Sequence, residues 1–354
     1  MHTPPTNKRA NNRATGRVTL SDVARVAGVS PITVSRALRG ERAVAADLVS
    51  RVMQASNRLG YVPDPAARAL ASQRSDHVAI LIPKLSNALF VDLLDAAQQA
   101  LRAEGFQTLI GITHYDSAQE ELLLREQLLQ RPAGLLITGL NYSPSTRALI
   151  QAAQVPCVHL MDLPESLECD GEGEGGSPYC VGFKQSDAGA AITAHLLAKG
   201  YKSIAFAGAQ LDPRVMQRLA GWRQALTQAK LYDPALECLN PAPSSLALGG
   251  HMLEQILQHQ PLVDAIFFCN DDLAQGALLA ALRLGIRVPQ RIAIAGFNDL
   301  TGSDQMLPSL TTVRTPRAQI GVQAAKLLIS LIKTGQHQPR LVDLGFEVIE
   351  RGSS

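Results

Sequence analysis

No apolar run in this chain approaches the roughly 20 residues that a bilayer-spanning helix needs. The first 17 residues, MHTPPTNKRANNRATGR, also lack the apolar segment of a secretory signal. Neither a helical membrane protein nor an exported one is expected on these grounds, and a cytoplasmic location is expected. Cysteine is sparse: Cys157, Cys169, Cys180, Cys238 and Cys269 are scattered, with no C-x-x-C pair. An odd count in an unexported chain implies free thiols, mostly buried on strands, rather than a disulfide frame or a zinc site. A Walker-type lysine motif, H-E-x-x-H and a nucleophile elbow are missing as well. An enzyme is not expected, nor a cofactor or a metal. Gly171, Gly173 and Gly176 do satisfy G-x-G-x-x-G. They lead into a strand rather than a helix, and Glu172 and Glu174 would repel a phosphate, so the motif lacks the context it requires.

The chain has 354 residues, 46% of them hydrophobic, which suits two or three domains. Its net charge of +2 hides an asymmetry. Residues 1–75 hold 12 Lys and Arg against 4 Asp and Glu, whereas the remainder holds 21 against 27. A basic head on an acidic body is the footprint of a nucleic-acid-binding module joined to something else.

The head is organised around Val18–Leu38, VTLSDVARVAGVSPITVSRAL. Val23, Ala24 and Ala27 give a first short helix a small apolar face. Gly28 ends it. Ser30 is placed to cap a second helix, and Pro31 suits its first position. That helix exposes Thr33, Ser35 and Arg36 and turns Val34 and Leu38 inward. Two such helices form a helix-turn-helix, whose second helix enters a DNA major groove. Val44–Leu59 carries Leu48, Val52, Ala55 and Leu59 on one stripe of a third helix. Arg36 is the best base-reading side chain, because a guanidinium pairs bidentately with guanine. Thr19, Ser30, Thr33 and Ser35 carry hydroxyls that serve equally as helix caps and as phosphate contacts.

From His77 onward, apolar runs alternate with amphipathic helices. Strands are expected at His77–Ile82, Gln107–Ile112, Gly134–Thr138 and Cys157–Leu160. A second series is expected to open at Tyr179–Phe183 and to continue at Ser203–Ala207, Asp264–Phe268 and Arg291–Ala295. The repetition implies parallel sheets covered on both faces. Ligands of such sheets bind beyond the carboxyl ends of the strands. That rule selects the loops at Ser86–Phe90, His114–Asp116, Asp162, Phe183–Gln185, Asn270–Asp272 and Phe297–Asp299.

The head matches VTLxDVAxxAGVSxxTVSRxL followed by LGYxPxxxARxL, and resembles the lactose-repressor family of bacterial transcription regulators. The resemblance continues through the body and is strongest to gluconate-type repressors, in the runs HLMD, VGF, GAQLDPR, CNDDLA, AIAGF, TPR and VDLGF. It implies an all-α helix-turn-helix head and an α/β core of two doubly wound parallel-sheet subdomains, periplasmic-binding-protein-like, with an effector cleft between them. The expected domains are a disordered basic arm at 1–17, the helix-turn-helix at 18–62, a hinge-helix linker at 63–75 and the core at 76–354. Within the core, subdomain 1 takes about 76–178 and 315–338, and subdomain 2 about 179–314 and 339–354. By the resemblance, Pro31 and Ile32 sit where operator choice is made, and both offer only apolar contacts. Leu70 matches a leucine that wedges into the minor groove when the linker helices of a dimer fold on DNA, and Arg68 is a backbone contact.

In the cleft, the resemblance assigns effector contact to Arg218 and Asn270. It places Asn298 where many members carry aspartate, and Asp162 and Phe90 on the first subdomain's side. Lys184 occupies a place often held by Asp or Asn. Ser86 and His114 join this set from the loop rule. A sugar acid needs a cation for its carboxylate, expected from Arg218 with Lys184 or His114. The function expected is a repressor released from near-palindromic operator DNA by gluconate or 2-ketogluconate. A regulator answering to a neutral sugar or a corepressor, and a solute-binding module without regulation, stay open as alternatives. The resemblance implies a homodimer, since members that form tetramers carry a leucine-heptad helix beyond the core and none follows the strand expected at Leu341–Ile349.

Overall fold

The computed structural model describes residues 18–38, 40, 44–62, 75–85, 88–164, 178–335 and 339–354. The basic arm, the linker with Arg68 and Leu70, Ser86 and the glycine motif at 171–176 lie outside the described residues. The chain divides into two units, Met1–Ser72 and Gln73–Ser354.

The head is three helices, α1 (Leu20–Ala27), α2 (Pro31–Leu38) and α3 (Ala46–Leu59). Their small core joins Val23, Ala24 and Ala27 to Val34, Ala37, Val52 and Ala55. Thr19 and Asp22 form a reciprocal capping box at α1. Gly28 ends α1 at φ 66°, the left-handed conformation that a side chain resists. Arg51 of α3 donates to the Ala27 carbonyl at 2.6 Å, so the third helix fastens the turn between the other two.

The core holds two parallel sheets. The first has the order β11-β5-β4-β3-β1-β2. Its strands are β1 (His77–Ile82), β2 (Gln107–Ile112), β3 (Gly134–Thr138), β4 (Cys157–Asp162), β5 (Tyr179–Phe183) and β11 (Leu341–Asp343). Alternation along β1 sends Val78, Ile80 and Ile82 into the main core, and Ala79 and Leu81 toward Leu124 on the opposite face. The helices α4 (Ala88–Ala103) and α11 (Arg317–Thr334) pack closely together, and α5 (Ser117–Leu129) pairs with α6 (Pro144–Ala153). The second sheet runs β7-β6-β8-β9, from Glu237–Asn240, Ile204–Ala209, Ala265–Phe268 and Ala293–Ala295. Helices α7 (Gln185–Ala198) and α8 (Pro213–Gln228) form one tight pair, and α9 (Leu246–His259) and α10 (Asp271–Arg283) another. A short antiparallel ladder, β10 (Thr312–Arg314) on β12 (Glu347–Ile349), joins two of the segments that connect the lobes.

Two expectations are corrected here. Tyr179–Phe183 does not open the second sheet. It lies in the first, in register with β4 from Val158↔Tyr179 to Asp162↔Phe183, and with β11 on its other edge. The change of lobe therefore follows β5, and the lobe boundaries expected at 178 and 338 move to the ends of β5 and β11. Leu341–Ile349 is not one strand. Gly345, at φ 63°, turns the chain so that β11 completes the first sheet and β12 enters the connecting ladder.

Candidate functional site

On the head, much of the hydroxyl chemistry is spent locally. The Thr19 side chain accepts from the Asp22 amide and donates to its carboxylate at 2.8 Å. That hydrogen bond, with Arg25 beside it, holds the Asp22 carboxyl down at about 2. Ser30 accepts from the Thr33 amide at 3.2 Å, and its hydroxyl meets that of Thr33 at 2.9 Å. Pro31, Ile32 and Arg36 are exposed on α2, with Ile32 65% exposed, and Ser35 is half-buried beside them.

The second site is the cleft of the core. Its cavity volume is about 90 Å³. Lys84, Leu89, Tyr115, Gln210, Asp212, Arg214, Arg218, Ser244, Asn270 and Asp272 line it. These residues follow the carboxyl ends of strands or open the helices after them, where the backbone is least regular. Met161, Gln210, Leu211, Asn298 and Asp299 all have positive φ at those ends, strained positions of the kind that cluster at binding sites.

Arg218 is the centre of the arrangement. It is fully buried on α8 and donates from Nε to Gln185 Oε1 at 2.9 Å. Its Nη1 donates to the Cys269 carbonyl at 2.7 Å and to Asn270 Oδ1 at 2.9 Å. The guanidinium carbon stands 3.8 Å from the centre of the Phe297 ring. Burial pushes it down to about 10, still protonated at neutral pH. Asn270 Oδ1 also accepts from Asn298 Nδ2 at 3.2 Å. Asn298 Oδ1 is buried and has no hydrogen-bond partner among the described residues. Asn270, Asn298 and Arg218 are thus brought together as the resemblance implies.

Asp162 and Phe90 come from the first lobe and, like Asn298, are buried and outside the cleft lining. Gln185 bridges the two sides, donating to Met161 O at 3.1 Å and to Asp162 Oδ1 at 3.4 Å. Burial pushes the Asp162 carboxyl up to about 6, against the pull of Arg214. Because this folded value lies above the ordinary 3.8, the folded state holds the proton more tightly than the unfolded chain. Stability from this group is full below about pH 4 and is lost as pH rises through about 6. Asp162→Asn is therefore expected to gain stability over the parent at pH 7 and not at pH 4. Urea midpoints at both pH values check this, and a gain of equal size at pH 4 would contradict it.

Other expected contacts lie elsewhere. His114 is exposed and outside the cleft lining. His114 and Tyr115 both take left-handed conformations, φ 52° and 61°, and Tyr115 is the one that lines the cleft. Lys184 is the N-cap residue of α7 and half-buried, also outside the lining. Its neighbour Gln185, also outside the lining, meets the site through its hydrogen bond with Arg218. The cations that do line it beside Arg218 are Lys84 and Arg214, neither expected. Arg214 and Arg218 are four residues apart, one helical turn, and that spacing was the available signal. Asp271 is a strut: it accepts from the Leu300 amide, the Ser303 hydroxyl and the Thr312 hydroxyl, at 2.7, 2.9 and 2.6 Å. Asp272 lines the cleft and accepts from Ser244 at 2.8 Å. Among the described residues no group of His, Cys, Asp and Glu is arranged to hold a metal ion, and no helix is long and apolar enough to cross a membrane.

Two family models match the chain, one in each of its two units. The model of the lacI family of bacterial regulatory proteins matches residues 19–64. That of the periplasmic binding protein-like domain matches residues 193–354. The HTH-type transcriptional regulator GntR of Pseudomonas aeruginosa is 50% identical over 349 residues, covering 99% of each chain. The solved structure of transcription regulator GntR from Chromobacterium violaceum is 49% identical, with a TM-score of 0.74 over 78% of this chain and 99% of that one. The lac repressor dimer bound to operator and the anti-inducer ONPF is 25% identical, with a TM-score of 0.83 over 95% and 99%. These relatives are transcriptional regulators. With a helix-turn-helix head and a core of two doubly wound parallel sheets, this chain is a DNA-binding transcriptional regulator and belongs to the lacI family.

Proposed function

We propose that the chain is a repressor whose hold on operator DNA is released by gluconate or a close relative such as 2-ketogluconate. The observation that carries this reading is the charge of the cleft: three cations, Lys84, Arg214 and Arg218, line it with two carboxylates, Asp212 and Asp272. A carboxylate that leaves water for a site within the protein needs a cation, and a buried cation needs an anion. The resemblance to gluconate-type repressors, and the half-identical relative named GntR, support the same ligand class. The ligand must prefer the state that does not hold DNA, since tight binding alone shifts nothing. Titration calorimetry with gluconate, 2-ketogluconate, ribose and a purine, paired with a gel shift on upstream DNA, tests the proposal. A neutral sugar or purine that binds far more tightly than either acid refutes it.

On DNA, Arg36 is the base-reading side chain of α2, flanked by Pro31 and Ile32, while Leu70 and Arg68 belong to the linker. Arg36→Ala is expected to cost about 1–3 kcal/mol of specific binding, the usual worth of one bidentate base contact. An equal loss on operator and random DNA would make Arg36 a phosphate contact instead.

Two heads on a near-palindromic site require a dimer. Leu279, Leu282 and Leu307 are 50%, 65% and 78% exposed, and Leu282 and Leu307 line one groove. Such an apolar surface favours a second copy of the chain. Light scattering is expected to return a dimer, and Leu282→Asp a monomer. A parent protein that is itself monomeric or tetrameric would contradict this.

A further inference from the structure

Arg317 opens α11, and its charge has the wrong sign for that place. A helix N-terminus favours an anion, yet α11 begins on this cation and has no acid in its first turn. The guanidinium, 12% exposed, turns to acceptors on both lobes. Its Nε and Nη2 donate to one carboxylate oxygen, Asp92 Oδ2, at 3.1 and 2.8 Å. Its Nη1 donates to the Asn298 carbonyl, and Nη2 also reaches the Asp299 carbonyl at 3.4 Å. Asp92 lies on α4 of the first lobe, whereas Asn298 and Asp299 follow β9 of the second. One side chain therefore ties a helix of one lobe to a loop of the other.

Each end of this tie leads to the cleft. Asp92 stands about one helical turn beyond Leu89, which lines the cleft from the first lobe. The helices α4 and α11 meet backbone to backbone: a Cβ built at Gly321 stands 2.4 Å from the Leu93 carbonyl oxygen. At the other end, Asn298 and Asp299 take φ 110° and 52°. Side-chain-bearing residues keep such conformations only where their surroundings hold them. The Asn298 amide donates to the Val313 carbonyl at 2.8 Å. The Asp299 carboxylate meets Arg314 and Arg351, each at 2.8 Å. On the Asn298 carbonyl, Arg317 is joined by the Thr315 hydroxyl at 3.5 Å. Asn298 does not line the cleft, but its Nδ2 props Asn270 Oδ1, the atom that also accepts from Arg218. Asn270 and Arg218 do line it.

We propose that Arg317, anchored on Asp92, is a positioning residue for the effector site. It fixes the Asn298–Asp299 turn, and through it the Asn270–Arg218 pair, relative to the Leu89 wall of the cleft. Arg317 touches no ligand itself. The register of the two walls is set by a guanidinium outside the lining. Only the choice of ligand probe rests on the sugar-acid reading above.

The test is a double-mutant cycle on the full-length protein: the parent, R317M, D92N and R317M/D92N, with R317K and R317Q beside them. Two quantities are read. One is gluconate affinity by titration calorimetry. The other, with no ligand, is the hydrogen-exchange rate of the Asn298, Asp299 and Leu300 amides, each of which is hydrogen-bonded. R317M is expected to weaken gluconate binding about tenfold, the worth of one charge-assisted hydrogen bond, and to speed the three amides by a similar factor. D92N removes a half-exposed carboxylate and is expected to cost about threefold in each. The double variant is expected to match R317M at about tenfold, not the roughly thirtyfold product, because Asp92 acts on the site only through Arg317. R317K is expected to fall between the parent and R317M, since an ammonium lacks the fork that reaches both lobes. Melting confirms that each variant is folded, and R317Q replaces R317M if the latter is not. A double variant at the product of the singles overturns the assignment, as does a folded R317M with the parent's amide rates. Equal acceleration in the buried strand β6 reports general loosening and overturns it too. A parent that binds no gluconate overturns the sugar-acid reading alone, and the exchange cycle then decides the assignment by itself.

Discussion

Gly221→Ala is expected to destabilise the core by about 3 kcal/mol or more, the upper end for overpacking. A Cβ built at Gly221 stands 1.9 Å from the Ser186 carbonyl oxygen and 2.6 Å from the Ala190 nitrogen. The approach is mutual: a Cβ at Gly189 stands 2.4 Å from the Arg218 carbonyl oxygen. Helices α7 and α8 thus meet through glycine on both sides. Helix propensity alone would make alanine the better residue by about 1 kcal/mol. The clash decides the sign, because backbone atoms cannot rotate away as a side-chain tip can. The functional consequence follows from what these helices carry. Gln185 opens α7, and Arg214 and Arg218 lie on α8, so separating the pair displaces the centre of the cleft. Gly250→Ala is the contrast. There the nearest atom is the Ala280 Cβ at 3.3 Å, and a change within about 1 kcal/mol is expected. Urea denaturation of both variants reads the difference, and a Gly221→Ala protein as stable as its parent would contradict the close approach.

Arg218→Met is expected to lose about 1–3 kcal/mol of stability, the cost of buried acceptors left without a donor, and with it the thermal shift expected from the effector. Methionine fills the volume but donates nothing. Gln185 Oε1, the Cys269 carbonyl and Asn270 Oδ1 each lose a donor inside the protein, and the stacking on Phe297 is lost with the charge. Gln185 is also the link to Met161 and Asp162, so the damage reaches the first lobe. Arg218→Lys keeps a cation but not the planar fork that reaches three acceptors, and its loss should fall in between. Scanning calorimetry with and without gluconate checks both quantities. A stable Arg218→Met protein with an undiminished effector shift would remove Arg218 from the site.

The helix-turn-helix was readable almost to the residue, because each of its signals acts locally. Gly28 ends α1, Ser30 caps α2 and Pro31 starts it, whatever the rest of the chain does. The alternation of strands and helices was readable for the same reason, since burial on both faces of a sheet leaves unbroken apolar runs. Asn270, Asn298 and Arg218 were reachable through the family resemblance and through the rule that places ligands beyond strand ends. Which sheet a strand joins is another matter. A parallel neighbour needs a crossover, usually a helix, and the acidic, glycine-rich stretch before Tyr179 shows no helical pattern. Nothing in residues 179–183 records that β4 and β11 are their partners. The split of 341–349 is hidden likewise, because β11 and β12 are equally apolar and differ only in which distant strand each meets. Lys184 and His114 were favoured over Lys84 and Arg214 because charge and proximity to a strand end are visible in a sequence, whereas side-chain direction is not. The sequence by itself determined the head, the two-sheet class and the family. Only the tertiary structure decided which cations face the cleft, because that depends on how loops from both lobes, many residues apart, turn their side chains toward one space.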